Sequence, residues 1–186
     1  MFLEVTYLAD SNTTKHALAN AMKELMKEKP FEKIHVNDIC EKCNMNRKSF
    51  YYHFKDKYDL VNWIFDTEFS EIAYQKQYND PRSLMCDVCE YLYANRDFYK
   101  KALSIQGQNS FSDHFRDLLL FVIDKTLQNV LEMDTIGKFQ NDFFADAFVM
   151  AFQRWILEYS NMTASDFMEQ ITLCLKYIAI NYDEIT

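Results

Sequence analysis

Two glycines and two prolines are all that interrupt 186 residues. Glycine supplies the left-handed conformations of tight turns and proline breaks helices, so a chain with so few of either runs as long helices joined by few tight turns. The expected fold class is all-α. At this length the chain has room for a small module and a second helical core, since domains average roughly 100 to 150 residues. Its 16 Phe, 12 Tyr and 2 Trp recur at helical spacing and read mostly as core.

Residues Val36 to Lys57, VNDICEKCNMNRKSFYYHFKDK, hold two short helices and a corner. Ile39, Cys40 and Cys43 form the apolar side of the first helix. Asn44 tolerates the left-handed backbone of a sharp helix end, Met45 plugs the corner, and Asn46 is a good N-cap for the second helix. Phe50 and Phe54 lie one turn apart and clamp that helix onto the first. At about 100° per residue, Lys48, Ser49 and Tyr52 face the other way, flanked by Arg47, Tyr51 and His53. Such an arc suits a nucleic-acid groove better than a core, and the pattern is that of a helix-turn-helix.

The run from Asn46 to Lys57, with the amphipathic helix of residues 13 to 28 before it and Tyr58-Asp59-Leu60 after it, resembles the DNA-binding domain of the TetR family of transcription regulators. The family has Gly at the position of Asn44 and often Ser or Thr at that of Asn46, and both departures keep the turn chemistry. The stretches Asn95 to Leu103 and Gly107 to Phe111 are similar to a subgroup that includes regulators of dihydroxyacetone kinase genes. The resemblance implies a dimer that binds an inverted-repeat operator in double-stranded DNA, repression as the default, and control by a small-molecule or protein effector. An activator, a regulator governed by a protein partner, and a helical binding protein that has lost DNA recognition are the alternatives. The DNA-contacting set is His35, Asn37, Asn46, Arg47, Lys48, Ser49, Tyr51, Tyr52, His53 and Lys57. Within it, Lys57, Tyr51 and His53 are expected on phosphates, and Arg47 and Lys48 on base edges.

A net charge of −8 looks wrong for a DNA-binding protein until it is divided along the chain. Residues 1 to 60 carry ten Lys or Arg against nine Asp or Glu, a balance of +1, and the remainder stands at −9. Within residues 42 to 57, Lys42, Arg47, Lys48, Lys55 and Lys57 face Asp56 alone, a local +4. Screening over about 8 to 10 Å at cellular salt lets that patch act apart from distant carboxylates.

The expected organisation is a three-helix DNA-binding domain over residues 1–56 and a helical regulatory and dimerisation domain over residues 57–186, about nine helices in all. Residues 1–11 read as a non-helical arm. The first helix is expected from Thr13 to Lys29, ended by Pro30, and a fourth helix, capped by Asp56, spans 57–77 and links the domains. Residues 111–131 form a central helix. The last two helices, 139–159 and 165–182, carry more apolar surface than one core uses. The first has two stripes, Phe143/Ala147/Met150/Ala151 and Phe144/Phe148/Phe152/Trp155/Tyr159. In the family this pair makes a dimer interface, for which Phe144, Ala147, Phe148, Ala151, Trp155, Ile171, Cys174, Leu175 and Ile178 are the expected residues. The family also has an effector cavity, here drawn from Tyr91, Phe98, Tyr99, Gln106, Asn109, Phe111, His114 and Phe115.

Other chemistry finds little support. The pairs Cys40/Cys43 and Cys86/Cys89 have zinc-ligand spacing, but they lie much further apart than the roughly 15 to 20 residues of a zinc ribbon and fall on apolar faces. No metal or cofactor is expected. The four His form no metalloprotease or nucleophile frame, and a phosphate-cradling loop needs glycines that this chain lacks, so no catalytic residue is assigned. The first ten residues hold Glu4 and neither a basic start nor a long apolar stretch, and the apolar runs at 118–123 and 147–152 fall far short of the roughly 20 residues of a membrane span. The expectation is a cytoplasmic protein with reduced thiols.

Overall fold

The computed structural model describes residues 2–75, 77–78, 80–105, 110–131, 137–159 and 161–180. The chain is all-α, with nine helices and no strand among those residues: α1 (Phe2–Glu28), α2 (Val36–Lys42), α3 (Arg47–His53), α4 (Lys57–Gln75), α5 (Pro81–Ala94), α6 (Arg96–Leu103), α7 (Phe111–Leu131), α8 (Lys138–Glu158) and α9 (Ala164–Ile180). A single 3-10 turn at Phe31–Lys33 connects α1 to α2. Two compact units emerge, one of Met1–Glu71 with Asp97–Asp117 and the other of Ile72–Arg96 with Leu118–Thr186. α4 and α7 contribute to both.

In the first unit, Leu18, Ala21, Met22, Leu25 and Met26 give α1 a buried stripe at helical spacing. Pro30 stops the helix, because the residue before a proline is disfavoured in the helical region. The non-helical arm expected at residues 1–11 is corrected, since α1 already begins at Phe2. No Gly or Pro breaks the run from Phe2 to Glu28.

α4 starts as expected: Asp56 Oδ1 accepts from the backbone N–H of Tyr58 at 2.8 Å and of Asp59 at 2.9 Å. Its Leu60, Val61, Ile64 and Phe65 are buried. Phe65 centres an aromatic cluster, with ring centroids 5.3 Å from Phe111, 5.4 Å from Phe115 and 6.3 Å from Tyr99, all edge-on. Such pairs add about 0.5–1.5 kcal/mol each beyond burial. Polar ties bind α6 to the same unit. The Lys101 ammonium donates to Met26 O at the end of α1, while Glu68 accepts from both Lys23 of α1 and Tyr99 of α6.

In the second unit, Asp80 caps α5 through the Ser83 N–H at 2.8 Å, and Pro81 takes the first helical position, where its missing N–H costs nothing. Met85, Val88, Cys89 and Leu92 of α5 are buried; Cys89 Sγ lies 3.6 Å from Met168 Sδ of α9. Trp155 of α8 anchors this core. Its ring stacks on Phe167 at 4.4 Å and on Tyr93 at 5.5 Å, and its indole N–H donates to Met162 O at 2.9 Å. No described helix is long and apolar enough to cross a membrane.

Candidate nucleic-acid interface

The corner between α2 and α3 is built by local backbone chemistry. Asn44 takes φ 55°, the left-handed region. The Met45 N–H reaches back to Cys40 O at 2.8 Å and the Asn44 N–H to Glu41 O at 3.2 Å, the paired bonds of a Schellman ending. Asn46 Oδ1 then accepts from the Ser49 N–H at 2.9 Å, starting α3. Phe50 and Phe54 turn inward with ring centroids 5.8 Å apart, against a core that includes the buried Ile39 and Cys40.

The opposite side of α3 faces solvent. Arg47, Lys48, Tyr51 and Tyr52 are exposed, Tyr52 by 66 %, while Ser49 and His53 are half-buried. Arg47 lies along the helix, with Nη2 donating to the Tyr51 hydroxyl at 3.3 Å and the guanidinium 5.7 Å from the Tyr51 ring centre. Lys48 has no hydrogen bond or ion pair among the described residues. Burial, reinforced by the nearby Lys15 charge, holds the His53 pKa below its ordinary value.

Five of the ten residues in the DNA-contacting set share one hollow. His35, Asn37, Arg47, Tyr51 and Lys57, together with Ile34, Val36, Asp56 and Tyr58, line an open depression of about 390 Å³. His35 precedes α2, and its backbone N–H is held by Asp38 Oδ2 at 2.8 Å. The Lys29 ammonium binds the same carboxylate at 2.8 Å and, with the His35 N–H, keeps Asp38 below the usual carboxylate range. Asn46, the N-cap of α3, and Lys48, Ser49, Tyr52 and His53 on it lie outside the hollow's lining.

The expected basic patch is smaller than its count. Lys42 pairs with Glu28 at 2.7 Å and Glu24 at 3.6 Å on α1, so its charge is largely answered within the protein. Lys57 is half-buried, its Nζ 2.8 Å from Phe31 O and 2.9 Å from Ile34 O. Arg47, Lys48 and the exposed Lys55 remain as outward cations. Lys55 was countable in the charge pattern but had no place in the motif-based set.

The other two expected sets divide. Of the effector-cavity residues, Gln106 and Asn109 lie outside the described residues, and Tyr91 belongs to the second unit. Tyr99, Phe111 and Phe115 are fully buried around Phe65. Phe98 is half-buried beside Tyr99, its ring under the Lys23 ammonium at 5.7 Å. His114 Nε2 sits 2.6 Å from Asp66 Oδ1, and that hydrogen bond raises its pKa.

Of the dimer-interface set, Trp155 is corrected: 1 % exposed, it fills its own core. Phe148 is half-buried and also turns inward, 5.9 Å from Phe167. The outward stripe of α8 is the other one, with Phe143, Ala147 and Met150 (57 %) exposed and Ala151 intermediate; Phe139 (78 %) is exposed near the helix start, and Phe144, on the stripe with Trp155, is intermediate. On α9, Leu173, Cys174 and Tyr177 are exposed, Ile171 and Leu175 are half-buried, and the Ile178 side chain lies outside the described residues. Burial pushes the thiols of Cys40, Cys43, Cys86 and Cys89 above their usual value.

Known proteins share this architecture. Residues 18–64 match the family of bacterial regulatory proteins, tetR family, and residues 79–177 match the transcriptional regulator C-terminal region. Over 93 residues the chain is 30 % identical to the HTH-type dhaKLM operon transcriptional activator DhaS of Lactococcus lactis subsp. lactis (strain IL1403), a match spanning about half the length of each protein. Among solved structures, the dihydroxyacetone kinase operon activator DhaS is 24 % identical with a TM-score of 0.64, covering 90 % of this chain and 97 % of that one. A TetR transcriptional regulator from Streptococcus agalactiae 2603V is 22 % identical with a TM-score of 0.68, covering 90 % and 96 %. At these identities the two structures speak for the fold.

Proposed function

Because this chain belongs to the tetR family of bacterial regulatory proteins, we propose that it is a dimeric, sequence-specific DNA-binding regulator whose α3 enters the major groove of each half-site. It is a transcriptional regulator and not an enzyme. The observation that carries the DNA reading is the solvent-facing arc of Arg47, Lys48, Tyr51 and Tyr52, mounted on a corner fixed by Asn44 and Asn46. Arg47 and Lys48, at the start of α3, reach base edges, where a good bidentate contact discriminates by roughly 1 to 3 kcal/mol. Tyr51 and His53 donate to phosphate oxygens. His35 and Asn37, at the start of α2, approach the backbone from the other side of the hollow. In functional terms residues 1–56 bind DNA and residues 57–186 regulate and dimerise, in the cytoplasm.

One recognition helix of seven residues buries too little to hold a half-site alone, and symmetry supplies the second. The outward stripe of α8, with Leu173, Cys174 and Tyr177 of α9, is the surface that supports self-association. An effector acting on the C-terminal region biases the population of the DNA-competent form. Activation gains support from the DhaS relatives, whose names call them activators, against the repression that is the family default.

The test is selection of bound fragments from the source genome at two salt concentrations. An enriched inverted repeat, with half-sites about one helical turn (roughly 34 to 36 Å) or a multiple apart, is the expected result. Enrichment of no sequence at either salt would refute the reading.

A further inference from the structure

His114 stands in the first turn of α7, where the aligned peptide dipoles work against a positive charge. Its neighbours work the other way. His114 Nε2 lies 2.6 Å from Asp66 Oδ1 of α4, a short distance for an imidazole N–H donating to a carboxylate. Asp59, two turns earlier on α4, and Asp117, one turn further along α7, also act on the ring. Asp113 and Arg116 are close in sequence, but residues one or two apart do not share a helix face. α6 and α1 reach the same Phe65 cluster, yet their polar groups there are taken: Tyr99 and Lys23 bind Glu68, and Lys101 donates to Met26 O. The charges that act on the imidazole among the described residues are therefore carboxylates. The hydrogen bond to Asp66 and these charges outweigh burial and hold the His114 pKa above its ordinary value. The buried Phe65 meets the ring edge-on at 6.4 Å, while the two paired side chains keep 31 % and 46 % of their surface, so protons reach them from solvent.

We propose that His114 and Asp66 form a proton-operated latch between α7 and α4: the imidazolium holds the two helices together, and its loss of a proton leaves carboxylates on both with no cation among them. Only Phe54, Lys55 and Asp56 lie between the end of α3 and the start of α4, so whatever holds α4 bears on the stance of the recognition helix. A less firmly held α4 samples more orientations, and operator affinity falls with the fraction of molecules in the competent one. This effect on DNA rests on the DNA-binding reading above; the latch itself does not. Because the folded pKa lies above the unfolded one, the latch contributes its full stability below about pH 6.5 and loses it as pH rises through the folded value.

Imidazole NMR of wild type, assigned by the signal missing from His114→Gln, should show His114 titrating above the ordinary value of about 6.5, and Asp66→Asn should bring that midpoint down. In melting temperature, the advantage of wild type over His114→Gln should shrink between about pH 6 and about pH 9. Over the same window and at fixed salt, operator affinity should fall about two- to fivefold further in wild type than in His114→Gln, the scale of a partly exposed ion pair. A midpoint at or below the ordinary value, or one that Asp66→Asn leaves in place, would overturn the proposal. So would a melting-temperature difference independent of pH, or an operator affinity that falls no further in wild type than in the variant. If His114→Gln does not fold, the signal is assigned through the wild-type backbone and Asp66→Asn takes its place in the stability and affinity comparisons. If wild type binds no DNA at any pH, the DNA-binding reading fails, and the midpoints still rule on whether the latch exists.

Discussion

Tyr51 and Met150 are exposed to nearly the same degree, 50 % and 57 %, yet they belong to surfaces of opposite chemistry. Around Tyr51 on α3, every exposed large side chain ends in something polar: a hydroxyl on Tyr51 and Tyr52, a guanidinium on Arg47, an ammonium on Lys48. Around Met150 on α8, the exposed apolar groups are Phe139, Phe143, Ala147 and Leu157, with the charged Asp146 and Arg154 one turn to either side. The first surface can trade water for phosphate and base edges and remain satisfied when it is bare. The second gains only by being covered. Exposed apolar area alone would group the two together, and the polar tips are what separate a groove reader from a self-association face.

The largest effect should come from reversing the inward and outward stripes of α8. Trp155→Ala removes a ring held between Phe167 and Tyr93, and thermal or denaturant unfolding should show a loss of about 3–5 kcal/mol. Met150→Ala, one stripe away, should leave unfolding of the isolated chain nearly unchanged while weakening self-association. Equal destabilisation by both would merge the stripes and break the comparison.

Next in size is Arg47→Ala. Binding to operator variants should lose discrimination at one position in each half-site, by roughly 1 to 3 kcal/mol, with self-association unaffected. A uniform loss across operator and random DNA would move Arg47 from base reading to the backbone.

The smallest effect uses the one histidine on α3, since the α8 stripe has none. Burial keeps the folded pKa of His53 below its unfolded value, so on acidification the unfolded chain takes up the proton first and stability falls. His53→Gln should therefore gain on wild type in melting temperature as pH drops from about 8 through 6.5, the ordinary histidine range. Self-association should stay constant over that window. A difference independent of pH would mean the imidazole is as solvated folded as unfolded.

What the sequence made legible was local. Asn44, Asn46, Asp56 and the pair Phe50/Phe54 do their work within a few residues of themselves, so their types and spacing sufficed. Lys42 and Lys57 have their partners 14 to 26 residues away, with Lys42 on Glu28 and Lys57 on the turn after α1. A charge count has no means of showing that these cations are already engaged. The two stripes of α8 were legible as stripes, but both are apolar, and only the packing of Phe167 and Tyr93 against one of them settles which faces inward. The extension of α1 through residues 2–12 carries no helical apolar pattern that would announce it, and only the absence of Gly or Pro there is visible in the sequence.

The central claim, that one surface reads DNA and the other joins two copies so that two readings add, is tested most directly by sedimentation of wild type and Met150→Glu with and without an operator duplex. Wild type should sediment as two copies and place two on each duplex. Met150→Glu would bury an unpaired carboxylate at a cost of several kcal/mol, so it should remain folded, sediment as one copy and fail to hold operator at concentrations where wild type saturates it, although every residue of α3 is intact. A Met150→Glu protein that stays dimeric, or a wild type that binds operator tightly as a single copy, would contradict the account.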